Sequence, residues 1–345
     1  MKRVIIAALA LLAAQTSLAQ PVVHLFGGWQ YGLTDGNRYL GGTKEGGYRN
    51  ANLALNLAAA PSQNLRIEGQ LFTGINGAEK ETAIDYAFGE WRFSDALRLR
   101  VGRVKHPFGI YTEVFDVGTL RPFLSLPQSV YGPVGTLAEA YSGAGISGVR
   151  HFRSWSIRYD AYAGTLALPY NDFDDGIAFG PPQDLKVRNV IGGRAVFETA
   201  VEGLSFGASV YSGRIEAENA RHARHSAAGM QIEYVTDRLS LRGELTKNRT
   251  ADMGDEAGYA EAAFRITPRW QLAVRRDVLH ECASMSDLSG HHHETAAGIN
   301  YWFSPHFVLK LSGHHVYGNH LAAPDGDDAQ RPRTNLLLVG AQFSF

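Results

Sequence analysis

The amino-acid sequence predicts an all-β fold, namely a transmembrane antiparallel up-and-down β-barrel of about 16 strands. Three observations predict it. Apolar and polar residues alternate through many short segments, the connections between segments are sorted by length, and aromatic residues recur beside the short connections. Successive side chains of a strand point to opposite faces, so this alternation marks strands that separate two different environments.

The first 19 residues have the pattern of a secretory signal peptide. Lys2 and Arg3 precede an unbroken apolar run over residues 4–14, and Ser17 and Ala19 supply the small residues before a cleavage point. The run is shorter than the roughly 20 apolar residues that a spanning helix needs. We expect cleavage after Ala19 and a barrel over residues 20–345 with a long inward loop at about residues 104–141.

The alternating segments can be counted along the chain. In residues 204–210, for example, Leu, Phe, Ala and Val alternate with Ser and Gly. The count is sixteen, although the sixth and eighth segments alternate least regularly. An even number is what a bacterial barrel with both termini in the periplasm requires. The approximate cores are residues 22–31, 48–57, 65–73, 83–93, 97–103, 142–152, 155–164, 188–198, 204–212, 226–236, 239–247, 257–267, 270–279, 294–303, 307–317 and 334–345.

The length of a connection depends on whether it follows an odd-numbered or an even-numbered segment. The connections after even segments are mostly short, at residues 94–96, 153–154, 237–238, 268–269 and 304–306. Most of those after odd segments are long, at residues 32–47, 104–141, 165–187, 213–225, 280–293 and 318–333. Short turns on one rim and long loops on the other are typical of outer-membrane barrels.

Aromatic residues lie near the short turns, as an interfacial girdle requires. They are Trp91, Phe93, Phe152, Trp155, Phe197, Phe206, Tyr234, Phe264, Trp270, Tyr301, Phe303 and Phe307. The last segment alternates up to Phe345 and resembles the final strand of outer-membrane barrels, whose terminal aromatic residue is recognised by the barrel-assembly machinery. We expect outer-membrane lipid and lipopolysaccharide as the surroundings.

Composition excludes several classes of protein. The formal net charge is −1 with no dominant basic face, which argues against a nucleic-acid partner. Cys282 is the one cysteine, so no intrachain disulfide forms. No motif indicates a cofactor, and no nucleophile elbow, phosphate-binding loop or H-E-x-x-H motif occurs.

A segment of about thirty residues carries a family resemblance. It reads VGRVKHPFGIY at residues 101–111, RPF at residues 121–123 and LPQSVY at residues 126–131. It resembles the bacterial outer-membrane porin family, general or phosphate-selective, in which a similar G-R-x-K-x-P-x-G strand end precedes a long loop. General porins place their constricting loop after the fifth strand, as the count here does.

The resemblance implies a passive diffusion channel for small hydrophilic solutes or ions, not an enzyme, in the outer membrane of a Gram-negative bacterium. The resemblance leaves a homotrimer as one alternative, in which the small-residue strand at residues 143–148 would pack against a neighbouring barrel. The alternative is a non-conducting barrel that serves as an adhesin or as an enzyme with a rim pair such as His225 and Ser226. A barrel of sixteen strands favours the channel because it leaves room for water.

Charged residues occupy the positions opposite to the lipid-facing ones. The predicted pore-lining cations are Arg66, Arg92, Arg98, Arg100, Arg158, Arg194, Arg242, Arg275 and Lys310, with Arg265 also inward. The inward acids are Glu68, Glu90, Asp160, Glu233, Glu244, Glu261 and Asp277. The modest basic excess predicts a weak anion preference. The alternative is that these residues form ion pairs that only stiffen the barrel.

The longest connection, residues 104–141, is rich in aromatic residues and proline. Loops of this length are usually functional or disordered, and so much apolar surface requires a wall to pack against. We predict that it folds inward and narrows the pore. The predicted constriction residues are Lys105, Glu113, Asp116 and Arg121, and we expect the last three to face the wall that carries Arg98 and Arg100. The alternative is packing over the rim or against a neighbouring barrel.

Three further clusters do not indicate a metal site. His291, His292 and His293 have His280, Glu281, Cys282 and Glu294 nearby, but three consecutive side chains do not easily converge on one ion. The acidic runs at residues 172–176 and 325–328 lack the spacing of a calcium loop.

Overall fold

The computed structural model describes residues 21–76, 79–170, 173–174, 177–178, 183–216, 223–250, 254–281, 291–326 and 328–345. The expected signal peptide at residues 1–19 lies outside the described residues and stays a prediction. Within the described ranges, no helix has the length and apolar character needed to cross a membrane.

Sixteen antiparallel strands form a closed barrel in which every strand pairs with its neighbours in sequence and the first pairs with the last. The predicted fold class is confirmed, including the irregular sixth and eighth strands. The strands are β1 (Val22–Thr34), β2 (Gly47–Ala59), β3 (Leu65–Asn76), β4 (Glu79–Ser94), β5 (Leu97–Lys105), β6 (Ala140–His151), β7 (Ser156–Tyr170), β8 (Gln183–Glu198), β9 (Leu204–Ile215), β10 (Arg224–Val235), β11 (Leu239–Thr250), β12 (Asp255–Arg265), β13 (Trp270–Glu281), β14 (His291–Ser304), β15 (Phe307–Tyr317) and β16 (Arg333–Ser344). A pair of two-residue strands, Phe173–Asp174 and Ile177–Ala178, lies outside the barrel.

The two faces of the barrel wall differ in chemistry. On β13, Leu272 and Val274 are 45% and 56% exposed, whereas Ala273 and Arg275 between and beside them are buried. The same alternation runs through β15, where the leucines are exposed and Lys310 is 1% exposed. An apolar outer face and a polar inner face are what a barrel in lipid requires.

Aromatic rings form contacts from strand to strand beside the short turns. Phe152 stacks on Trp155 with ring centroids 3.9 Å apart, and Phe197 stacks on Phe206 at 5.4 Å. Trp270 and Tyr301 meet edge to face at 4.8 Å. The rings therefore lie at one level of the barrel, as the sequence predicted.

The main hydrophobic core lies between the long loop and the barrel wall. Phe108, Tyr111 and Val130 of the loop are buried in one cluster with Tyr259 and Leu279 of the strands. The loop itself contains two 3-10 turns, Thr112–Val114 and Gly118–Leu120, and one helical turn, Gln128–Tyr131. The wall thus supplies the packing partners that the apolar residues of the loop need.

Candidate functional site in the barrel interior

Tyrosine hydroxyls attach the loop to carboxylates of the wall. Tyr111 donates a hydrogen bond of 2.6 Å to Glu261 on β12, and Tyr131 donates one of 2.6 Å to Glu244 on β11. The backbone N–H of Ser129 donates to Asp277 on β13 at 3.2 Å. These acceptors belong to the inward acids that the sequence predicted. These parts of the loop, at residue 111 and at residues 129–131, therefore rest on the inner faces of β11, β12 and β13.

Cations of the wall hold the middle of the loop, at residues 118–125. Arg275 on β13 donates to the carbonyl oxygen of Ser125 at 2.9 Å and lies 3.0 Å from Glu294. Lys310 on β15 donates to the carbonyl oxygens of Gly118 at 2.8 Å and Arg121 at 2.5 Å. Because their protons are used to hold the loop, these two predicted pore-lining cations have a structural role.

Glu113 of the loop reaches the opposite part of the wall. Its carboxylate lies 2.7 Å from the guanidinium of Arg194 on β8, which also lies 2.9 Å from Asp160 on β7. Burial alone would raise the pKa of Glu113, but Arg194 and the nearby Arg100 outweigh it and lower that pKa. Glu113 contacts Arg194, whereas the sequence led us to expect Arg98 and Arg100.

A second charged cluster surrounds Lys105 at the end of β5. Its ammonium lies 2.8 Å from Asp85, 3.1 Å from Asp116 and 3.9 Å from Glu139. The ammonium thus stands among three carboxylates that would otherwise suit a metal ion. Burial and neighbouring carboxylates raise the pKa of both Asp116 and Glu139 in spite of Lys105.

Sequence reasoning missed Asp85. A β-bulge between Gln70 and Leu71 shifts the register of β3 against β4, so consecutive residues Asp85 and Tyr86 are both buried. In a regular strand, the side chain of one of two consecutive residues would point to the outer face of the barrel. No residue type at this position reveals the bulge, and the partners Lys105 and Asp116 are distant in sequence.

The predicted pore-lining cations fall into two groups. Those with mostly buried side chains are Arg194, Arg242, Arg275 and Lys310. Those with more exposed side chains are Arg66, Arg92, Arg98, Arg100 and Arg158. In the second group, Arg92 and Arg98 lie 2.5 Å and 3.7 Å from Asp95 of a short turn, near the rim.

Two of the exposed cations are neutralised by strand neighbours, since Arg66 pairs with Glu68 and Arg100 with Glu90, each at 2.7 Å. Arg158 differs from them. In the part of the chain that the structure describes, no carboxylate oxygen lies within 4.0 Å of its guanidinium. It contributes a positive charge that the wall does not cancel locally.

Arg121 lies between two cavities of the interior. One, of about 570 Å³, is bounded by the loop and by the inner face of the first strands, including Asn52 and Asp85. The other, of about 790 Å³, is bounded by the loop and by short-turn residues such as Asp237 and Pro268. Arg121 lines both. Its guanidinium donates to the carbonyl oxygen of Phe115 at 2.7 Å, and its Nε is buried with no partner among the described residues.

The suggested rim pair of His225 and Ser226 does not form a catalytic pair. His225 is 1% exposed and hydrogen-bonded to Tyr211 and Thr250. Ser226 follows it directly on β10 and therefore points to the other face of the sheet. Of the acidic runs, Asp325 accepts a hydrogen bond from the backbone of Lys44, while residues 172, 175, 176 and 327 lie outside the described ranges.

Comparison with known proteins bears on this interior. The model of the family described as phosphate-selective porin O and P matches residues 199–345. The porin resemblance is confirmed. The match falls in the second half of the chain, whereas the segment that first indicated porins is at residues 101–131. No curated protein sequence matches the chain.

Solved structures of a porin, an outer membrane channel and an outer membrane protein share the fold. An anion-selective porin from Comamonas acidovorans superposes with a TM-score of 0.63 at 13% identity, covering 94% of this chain and 100% of that chain. The outer membrane channel DcaP of Acinetobacter baumannii gives 0.60 at 10% identity, covering 97% and 100%. The trimer form of OmpT, an outer membrane protein of Vibrio cholerae, gives 0.57 at 10% identity, covering 95% and 100%.

Proposed function

We propose that this porin-like barrel is a passive channel for small hydrophilic solutes or ions in the outer membrane of a Gram-negative bacterium. The observation that carries the proposal is a closed sixteen-stranded barrel whose folded loop leaves a cavity on each side of Arg121. Barrels of this strand number are wide enough for an aqueous channel. The exposed Phe345 at the end of the last strand is the feature that the assembly machinery would recognise.

We further propose that the loop forms the constriction and that the channel has a weak anion preference. Paired charges contribute little net field to a pore, so cations without a carboxylate partner decide the preference. Arg158 and Arg121 are such cations, whereas Arg66 and Arg100 are paired. The anion-selective porin from Comamonas acidovorans and the description of the matching family agree with this preference.

A homotrimer is the proposed assembly. The trimer form of OmpT has the same fold, and the outward positions of β6 include the small residues Ser142 and Ala144, which give a flat face for a neighbouring barrel. Mass measurement in detergent by light scattering tests this. A monomeric mass at high protein concentration would exclude it.

One observation bears on the enzyme alternative. Ser312 Oγ lies 2.8 Å from His314 Nε2, and His314 Nδ1 lies 2.7 Å from Glu294, which is the bonding order of a catalytic triad. Ser312 is 3% exposed, however, and Phe123 of the loop packs edge-on to the His314 ring at 6.1 Å. A buried serine that no substrate reaches favours a structural hydrogen-bond chain. We propose that it has no catalytic role, and labelling of Ser312 by a fluorophosphonate would contradict this.

The direct test of the channel is single-channel recording of the refolded protein in a planar bilayer under a salt gradient. Ohmic conductance steps with a reversal potential on the anion side are the expected result. Correctly folded protein that inserts and does not conduct would favour the adhesin or another non-conducting barrel.

A further inference from the structure

Three histidines meet on the outer face of the barrel at the end that carries the long loops. His280 lies near the end of β13, and His291 and His293 begin β14. His292 and Glu294, between and beside them, are fully buried and so point inward. Alternation therefore removes His292 from the group, and His280 of the neighbouring strand takes its place. The sequence shows His280 near the three consecutive histidines but does not reveal this cross-strand arrangement, in which His280 replaces His292.

The geometry of the three rings is compact. His280 is the direct cross-strand partner of His291, and their Nδ1 atoms are 2.7 Å apart. The ring centroids of His280 and His293 are 4.9 Å apart, and those of His291 and His293 are 5.8 Å apart. One nitrogen from each ring can be chosen so that all three lie within 4.8 Å of one another.

The protonation chemistry of this contact leaves lone pairs available. Two Nδ1 atoms at 2.7 Å share one proton at most, because two N–H groups would repel each other. His293 Nε2 is buried without a hydrogen-bond partner among the described residues. A divalent ion would accept these lone pairs. Tetrahedral Zn²⁺ with Zn–N bonds of about 2.0–2.1 Å separates two ligand nitrogens by about 3.4 Å, so the rings need to move apart only slightly.

The charged and aromatic neighbours of the cluster are compatible with a cation. Glu256 lies directly across from His280 on β12 and is paired with Lys247 at 2.5 Å. Arg276 on β13 donates to Thr295 at 2.7 Å. The ring of Tyr317 on β15 packs against His293 with centroids 6.1 Å apart and closes one side of the group.

We propose that His280, His291 and His293 form a binding site for a divalent transition-metal ion on the outer face of the barrel. Neutral imidazoles suit Zn²⁺, Ni²⁺ and Cu²⁺ rather than Mg²⁺ or Ca²⁺, which prefer oxygen ligands. Three imidazoles leave a fourth coordination position for water or for a group from another molecule. The site lies on the face opposite to the lumen and does not depend on the proposed channel function.

The test is calorimetric titration of the refolded full-length protein in detergent with ZnCl₂. One ion per chain is the expected stoichiometry. Cys282→Ser is included as a background, because a thiol two residues after His280 would bind Zn²⁺ itself. In both backgrounds, His280→Ala and His293→Ala should weaken binding by about tenfold or more, since even outer partners of a metal site are worth that much.

The matched control is His315→Ala. His315 lies on the neighbouring strand β15 and is hydrogen-bonded to Asn335, outside the cluster. It should bind Zn²⁺ as the parent does, and all variants should keep the parent's bilayer conductance. Co²⁺ loading should add the visible absorption of a nitrogen-ligated tetrahedral ion, which His280→Ala abolishes. Absent Zn²⁺ binding, or binding unchanged in a folded His280→Ala/His293→Ala variant, would overturn the proposal.

Discussion

The ammonium nitrogen of Lys310 lies 2.5 Å from the backbone carbonyl oxygen of Arg121. The same ammonium donates to the carbonyl oxygen of Gly118 and to the side-chain oxygen of Gln342. These oxygen atoms accept the hydrogen bonds of the buried Lys310 ammonium, which has no carboxylate oxygen within 4.0 Å among the described residues. Arg121, which lies between the two cavities, is thus held in place by Lys310 of β15, a strand from a distant part of the chain.

Replacing Lys310 by Met should loosen this part of the loop. The substitution keeps the length of the side chain and removes the ammonium group. The buried carbonyl oxygens of residues 118 and 121 then lose their hydrogen-bond donor. We expect faster thermolysin cleavage before Phe123 or Leu124, with the barrel still folded, and larger fluctuations of open-channel current. Lys247→Met is the control, since Lys247 is exposed in a pair with Glu256. Equal cleavage rates in the two variants would argue against the anchoring role.

Serine substitutions at Arg121 and Arg158 should reduce the anion preference. A unit positive charge about 7 Å away in water stabilises a permeating anion and destabilises a cation by about 0.6 kcal/mol each, or roughly sevenfold in their permeability ratio. Reversal potentials under a salt gradient measure it. Arg276→Ser removes the same charge from the outer face and should leave the reversal potential unchanged. If the two interior variants behave like Arg276→Ser, these residues do not set the preference.

The anion preference should fall as pH rises. Burial raises the pKa of Glu139 and Asp116, so these carboxyls hold protons above the usual range and then ionise. Both line the cavity on the long-loop side of Arg121, where ionisation adds negative charge. Reversal potentials between about pH 5 and pH 9 measure the change. Glu139→Gln should flatten the dependence, and an equally steep dependence in that variant would assign the titration to other groups.

The alternation of side chains was sufficient to predict the strands, their number and the outward apolar face, because strand parity is a local property of the sequence. The interior depends on contacts between distant residues. In the sequence, Tyr111 and Tyr131 could be recognised as aromatic residues of the loop and of the porin-like segment. Their hydroxyl bonds to Glu261 and Glu244 require the three-dimensional register of β11 and β12. Asp85 was missed for another reason, since a bulge interrupts the parity on which the assignment of faces relied.

The constriction itself is tested by deleting residues 112–130. Tyr111 and Tyr131, which flank this segment, are in contact, because the backbone N–H of Tyr111 donates to the Tyr131 side-chain hydroxyl at 2.9 Å. The deletion removes Glu113, Asp116 and Arg121, which together carry a net charge of −1, and uncovers Arg275 and Lys310 to water. Single-channel conductance should therefore rise, and the reversal potential should move further to the anion side.

A matched control is a deletion within another long connection, at residues 284–288, which should leave conductance unchanged. Heat-modifiable migration in gel electrophoresis checks that each barrel is folded. If the loop narrows the pore, the space that the deletion opens should conduct ions and raise the conductance. If the loop only packs on the wall, the conductance should not change. Parental conductance in a folded 112–130 deletion would place the narrowest section elsewhere and leave the loop a structural role.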